Sequence, residues 1–131
     1  MTIVFYAHSG IRYLVLLVAV AALAYLLFGL ATRRDFDKLA GVLTGAYLGL
    51  LDLQVLVGVA LYLLFPSRPA LIGHAVMMLA AVTVGHVANI MNKRREQKSY
   101  GVAFGGVAVS LLLVGGGIMA IGRAIIGSGG L

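Results

Sequence analysis

Six polar side chains lie within or at the edges of four long apolar runs in this 131-residue sequence. They are His8 and Arg12 on the first run, Asp52 and Gln54 on the second, and His74 and His86 on the third. Imidazoles bind metals or carry protons, a carboxylate holds a proton, and a guanidinium pairs with an anion. Such groups are costly in apolar surroundings and usually face a bundle interior, a partner or a cofactor. The chain has no cysteine, which excludes disulfides, thiolate metal sites and iron–sulfur clusters. It also has no nucleophile–base–acid set, no phosphate-binding loop and no HExxH spacing, so nothing marks a stand-alone enzyme.

The elements that position these residues follow from composition. The chain is 62% hydrophobic with a mean hydropathy of +1.07, whereas soluble domains are about 45–50% apolar. An all-α integral membrane protein with one small domain is expected. A spanning helix takes about 20 apolar residues, and four are predicted, over about 8–31, 39–65, 70–91 and 101–121. Thr32-Arg33-Arg34-Asp35 ends the first and Asn92-Lys93-Arg94-Arg95 the third. The prolines of Pro66-Ser67-Arg68-Pro69 force a tight turn after the second. A glycine-rich tail, Gly127–Gly130, follows the fourth. Met1–Tyr6 lacks the basic segment of a signal peptide, so the first run is expected to persist in the mature protein.

The net charge of +6 concentrates beside the apolar runs, a pattern of membrane topology rather than nucleic-acid binding. Arg33, Arg34, Lys38, Lys93, Arg94, Arg95 and Lys98 fall on one side, against Arg12, Arg68 and Arg123 on the other. Positive charge marks the cytoplasm, so loops 32–38 and 92–100 are expected inside and both termini outside. Short loops make sequential helices antiparallel, which gives an up-down four-helix bundle.

Helical spacing sorts the side chains into faces. His8 and Arg12 share a face with Val15, Ala19 and Ala22. Tyr47, Leu51, Gln54, Gly58 and Tyr62 form one stripe of the second helix; Gly45, Gly49 and Asp52 lie nearly opposite. The Gly45-x-x-x-Gly49 spacing predicts a tight helix–helix contact with Asp52 inside it. His74, Met78, Ala81, Gly85 and Asn89 line the third helix, with His86 rotated about 120° away. At about 1.5 Å per residue from the nearest basic loop, His8, Arg12 and His74 belong to the outer half. Asp52 falls near mid-depth and His86 in the inner half. His74 and His86 are about 18 Å apart along the helix, too far to share a metal.

These positions suggest a b-type haem. Haem in membrane bundles is held by imidazoles from facing helices. His8 and His74 are the candidate iron ligands, Arg12 a propionate partner, Gln54 a supporting polar group, and Gly58 a source of space for the ring. The same rulers place His8 about 9 Å further out than His74, and Met119, at His74's level, is a substitute ligand. Asp52 or Tyr47 can approach His86, and a carboxylate–histidine pair in lipid can relay protons or bind a quinone carbonyl. Structural readings stand beside these: His8 as an interfacial side chain, and His74, His86, Gln54 and Ser110 as interhelical hydrogen bonds.

Three segments carry a resemblance: His8-Ser9-Gly10-Ile11-Arg12-Tyr13-Leu14-Val15-Leu16, Asp52-Leu53-Gln54-Val55-Leu56-Val57-Gly58 and His74-Ala75-Val76-Met77-Met78-Leu79-Ala80. Together they resemble a family of small bacterial four-span proteins described as cytochrome b-like, over the first three helices. The resemblance implies the bacterial inner membrane and a functional set of His8, Arg12, Gln54 and His74. In relatives of that pattern the Asp52 position is sometimes histidine; aspartate here removes one possible ligand.

The expected function is therefore a haem-b-binding membrane protein that exchanges electrons with quinone or a partner redox subunit. One rival is a non-redox accessory subunit of a larger respiratory or photosynthetic complex. The other is a small homo-oligomeric transporter or channel with Asp52 and His86 on a proton path.

Overall fold

The computed structural model describes residues 2–64 and 71–120. They form four helices, α1 (Thr2–Ala31), α2 (Lys38–Leu64), α3 (Leu71–Lys93) and α4 (Tyr100–Ala120). Each is long and apolar enough to cross a membrane. The expected spans match closely, except that α1 begins six residues early, because Ile3, Val4, Phe5 and Tyr6 extend its apolar run. The Pro66–Pro69 turn, Arg68, Arg123 and the Gly127–Gly130 tail lie outside the described residues.

Contacts between helix ends show the up-down arrangement. The start of α1 meets the end of α2, where Gln54 bonds the His8 carbonyl. The start of α3 meets the end of α4 through His74 and Gly117, and Tyr100, opening α4, packs on Gly29 near the end of α1. Around the bundle the order is α2–α1–α4–α3, with long contacts between successive members and a sparse one closing the ring between α2 and α3.

The interior mixes small and large side chains. Ala19, Ala22, Ala40 and Ala81 are fully buried beside Leu26, Tyr47 and Leu51, while Leu17, Leu56 and Leu112 on the outside are 66%, 67% and 74% exposed. Large apolar groups on the outside suit a hydrocarbon solvent, in which close packing drives helix association. Polar groups pin the interior at one junction of three helices. The Tyr47 hydroxyl on α2 donates to Ser110 Oγ on α4 at 2.9 Å. Ser110 in turn donates to the Ala81 carbonyl on α3 at 2.8 Å.

Loop residues close the helix ends at the basic side. Arg33 takes a left-handed φ of 55°, and Arg34 N bonds Gly29 O while Arg33 N bonds Leu30 O, a Schellman ending with arginine where glycine is usual. Asp37 caps α2 through Ala40 N at 2.9 Å, and also accepts from Tyr25 and Arg34. Ser99 caps α4 through Val102 N, and its own amide donates to buried Asn92.

One expected contact is corrected. Gly45 and Gly49 do not meet a neighbouring backbone, because nothing lies within 4 Å of where a Cβ would stand on either. Their face looks toward α3, the one neighbour from which α2 is splayed. The close glycine contacts occur elsewhere, with Gly85 against Leu48 and Ser110, and Gly106 against Ala88.

Candidate functional site

At the end of the bundle away from the basic loops, His8 on α1 and His74 on α3 point inward from diagonally opposed helices. Their rings meet edge to face, with centroids 6.5 Å apart and planes at 83°. The expected 9 Å offset in depth is thus absent. Rulers anchored on Arg33 and Lys93 do not share a zero, and tilt absorbs the remainder.

Each imidazole is positioned by a glycine of the adjacent helix. His74 Nδ1 donates to the Gly117 carbonyl at 2.9 Å, which fixes the tautomer and leaves the Nε2 lone pair for a ligand. Gly117 belongs to the close α3–α4 contact, where an added Cβ would strike Met77 and Met78. His8 lies over Gly58, where a Cβ would stand 3.0 Å from its Cε1. His8 Nδ1 itself makes no hydrogen bond.

Unsatisfied polarity surrounds this pair. Among the described residues, the buried side-chain atoms without a hydrogen-bond partner are His8 Nδ1, Ser9 Oγ, Arg12 Nε and Gln54 Oε1. All four belong to the same end of the α1–α2 contact. Buried polar atoms are almost always paired, so this concentration marks a place suited to a polar ligand. Gln54 uses its amide nitrogen on the His8 carbonyl at 2.8 Å, leaving only its oxygen unspent. Arg12 stacks over Tyr13 with Cζ 4.7 Å from the ring centroid and donates to its hydroxyl at 2.9 Å.

Among the described residues no three His, Asp or Glu side chains converge, so a metal here must bring most of its own ligands. A haem does, needing one or two axial groups from the protein. Met119 does not fit as a substitute ligand, because it is 64% exposed on the outer face of α4.

A second polar pair lies deeper, on the sparse α2–α3 side. His86 Nε2 donates to both carboxylate oxygens of Asp52, at 2.8 and 2.9 Å. These side chains are 40% and 46% exposed, so the pair lies at the outside of the bundle rather than in its core. Their expected difference in depth is closed by the same offset between rulers. Tyr47 is not part of this pair. It is fully buried on the opposite stripe of α2 and turns its hydroxyl to Ser110.

Sequence reasoning brings His8, Arg12, Gln54, Gly58 and His74 to one end, as the structure does. It misses Ser9 and the bond from His74 to the Gly117 carbonyl. Antiparallel pairing of α3 with α4 is the signal that finds Gly117, since it sets the glycine run at 115–117 beside the start of α3. In comparisons with known proteins, no family model matches the chain, and no curated protein or solved structure matches it.

Proposed function

We propose that this chain is a multi-pass protein of the bacterial inner membrane that binds haem b between His8 and His74. It exchanges electrons with quinone or with a partner redox subunit. The observation that carries the reading is the approach of two imidazoles from diagonal helices amid four buried polar atoms with no partner. The basic loops 32–38 and 92–100 face the cytoplasm in this reading, which puts the histidine end outward.

The chain's residues divide the work. His74, oriented by Gly117, and His8, resting on Gly58, would hold the iron through ring nitrogens. Arg12 and Gln54 would offer a guanidinium and an amide oxygen to the propionates. A bound haem supplies one-electron transfer; the bundle supplies the low dielectric around it. The Asp52–His86 pair is the proton-holding group that a lipid-borne quinone meets.

An optical spectrum of the purified protein, oxidised and then reduced with dithionite, tests the reading. A Soret band and a reduced alpha band are expected, and His74→Ala removes them. A stable, colourless chain that copurifies with larger membrane partners instead identifies an accessory subunit. The lipid-facing Asp52–His86 pair favours a second reading, a homo-oligomeric proton-coupled transporter. In that case liposomes conduct protons without haem, and Asp52→Asn abolishes the flux.

A further inference from the structure

At the basic end of the sparse α2–α3 side lies a cleft of about 480 Å³. Lys38 reaches it from the start of α2, Lys93 from the end of α3 and Lys98 from the α3–α4 loop. Phe36 and Gly41 complete its apolar floor, and Asp37 is the single carboxylate in the lining. That carboxylate is already engaged by Tyr25, Arg34 and Ala40 N. Among the described residues none of the three lysines has an ion-pair partner. The cleft is therefore a cationic recess whose donors are unspent.

Beyond the cleft, α2 presents a strip of small residues. Gly41, Gly45, Gly49 and Asp52 follow one another on a single face at helical spacing. Gly45 and Gly49 have nothing within 4 Å of a would-be Cβ. Asp52 crosses to His86 on α3. The three glycines leave a slot bare of side chains along α2, with Lys38 at one end and the Asp52–His86 bridge at the other. From Gly41 to Asp52 it runs about 16 Å along α2, close to the roughly 15 Å of hydrocarbon in one leaflet.

We propose that the Lys38–Lys93–Lys98 cleft binds the phosphate of an anionic phospholipid, one acyl chain of which lies in the α2–α3 slot over Gly45 and Gly49. Basic pockets between helices at the charged face of a membrane hold anionic headgroups in this way. A free phosphate satisfies the lysines but leaves the slot unfilled. A zwitterionic headgroup brings its own cation into a recess that is already positive. The proposal needs no haem and stands apart from the redox reading.

The test uses the purified full chain in detergent, mixed with phosphatidylglycerol or phosphatidylcholine, with retained lipid counted by native mass spectrometry. Phosphatidylglycerol is retained preferentially. Each neutralised lysine weakens it roughly fivefold, and the triple variant Lys38→Gln, Lys93→Gln, Lys98→Gln weakens it about a hundredfold. The control Arg33→Gln, Arg94→Gln, Arg95→Gln removes as much charge outside the cleft and leaves retention near the parent's. Equal loss in both triple variants overturns the site in favour of diffuse attraction. Displacement of the lipid by equimolar inorganic phosphate overturns the lipid assignment and leaves an anion site only. Gly45→Leu fills the slot without touching charge and lowers retention, with helix content by circular dichroism unchanged. Full retention in that variant overturns the seating of the chain.

Discussion

The His8 and His74 rings face one another at near right angles, centroids 6.5 Å apart, although no Cα of α1 lies within 8 Å of a Cα of α3. Two side chains thus span a diagonal that the backbones leave open. Their approach depends on what stands behind each ring, and that dependence can be measured.

Gly58 stands behind His8. A Cβ there sits 3.0 Å from the ring, so Gly58→Ala pushes the imidazole by a few tenths of an ångström. Haem titration followed optically is expected to show affinity reduced roughly tenfold, as for other disturbed supports of a metal ligand. Unchanged affinity and an unchanged spectrum would remove His8 from the site.

The Tyr47–Ser110–Ala81 relay is structural. Interhelical hydrogen bonds in membranes are worth about 0.6 kcal/mol on average. Ser110→Ala, which breaks two, is expected to cost about 1–2 kcal/mol in unfolding from mixed micelles. Tyr47→Phe costs about half as much. In the double variant the Tyr47 loss vanishes, because its acceptor is already gone. Additive losses would mean that the two hydroxyls do not pair.

Asp37 carries a pH dependence. The Tyr25 hydroxyl, followed by the Ala40 amide, favours its ionised form and holds the carboxyl below its ordinary value. A depressed folded value stabilises the protein fully above the unfolded value, and that contribution fades as pH falls through the depressed one. Thermal midpoints recorded from neutral to strongly acidic pH should therefore drop for the parent. Asp37→Asn should start lower and lose this part of the slope. A parent and variant with parallel profiles would contradict the assignment.

Arg33 holds a left-handed conformation at the end of α1, which costs a residue with a Cβ about 1 kcal/mol or more. Arg33→Gly is expected to raise stability by up to about 1 kcal/mol. Thermal unfolding in detergent reads the gain, and a loss would show that the Arg33 side chain matters more than its backbone.

The number of helices, and their ends apart from the start of α1, were legible because the length of an apolar run and the charges flanking it act locally. The polar face of α1 was legible for the same reason, with Val15, Ala19 and Ala22 buried beneath His8 and Arg12. What was not legible depends on neighbours. A Gly45-x-x-x-Gly49 spacing permits close approach without saying whether a helix stands there, and the order α2–α1–α4–α3 leaves that face open. Tyr47 and Asp52 both lie within reach of α3 in sequence terms. Five residues of helical rotation send one to Ser110 and the other to His86. The arginine ending of α1 has no local signal, since glycine normally marks that position.

The sparse α2–α3 closure has a mechanical consequence. The bundle is an open book, with the α1–α4 contact as its spine. His8 and Gly58 are printed on one page, and His74 and Gly117 on the facing one. A group gripped by both imidazoles is then a clasp, and it sets the angle between the covers. Such a clasp raises the unfolding temperature with the logarithm of its concentration above the dissociation constant, and it bears on the whole fore-edge that Asp52 and His86 also bridge.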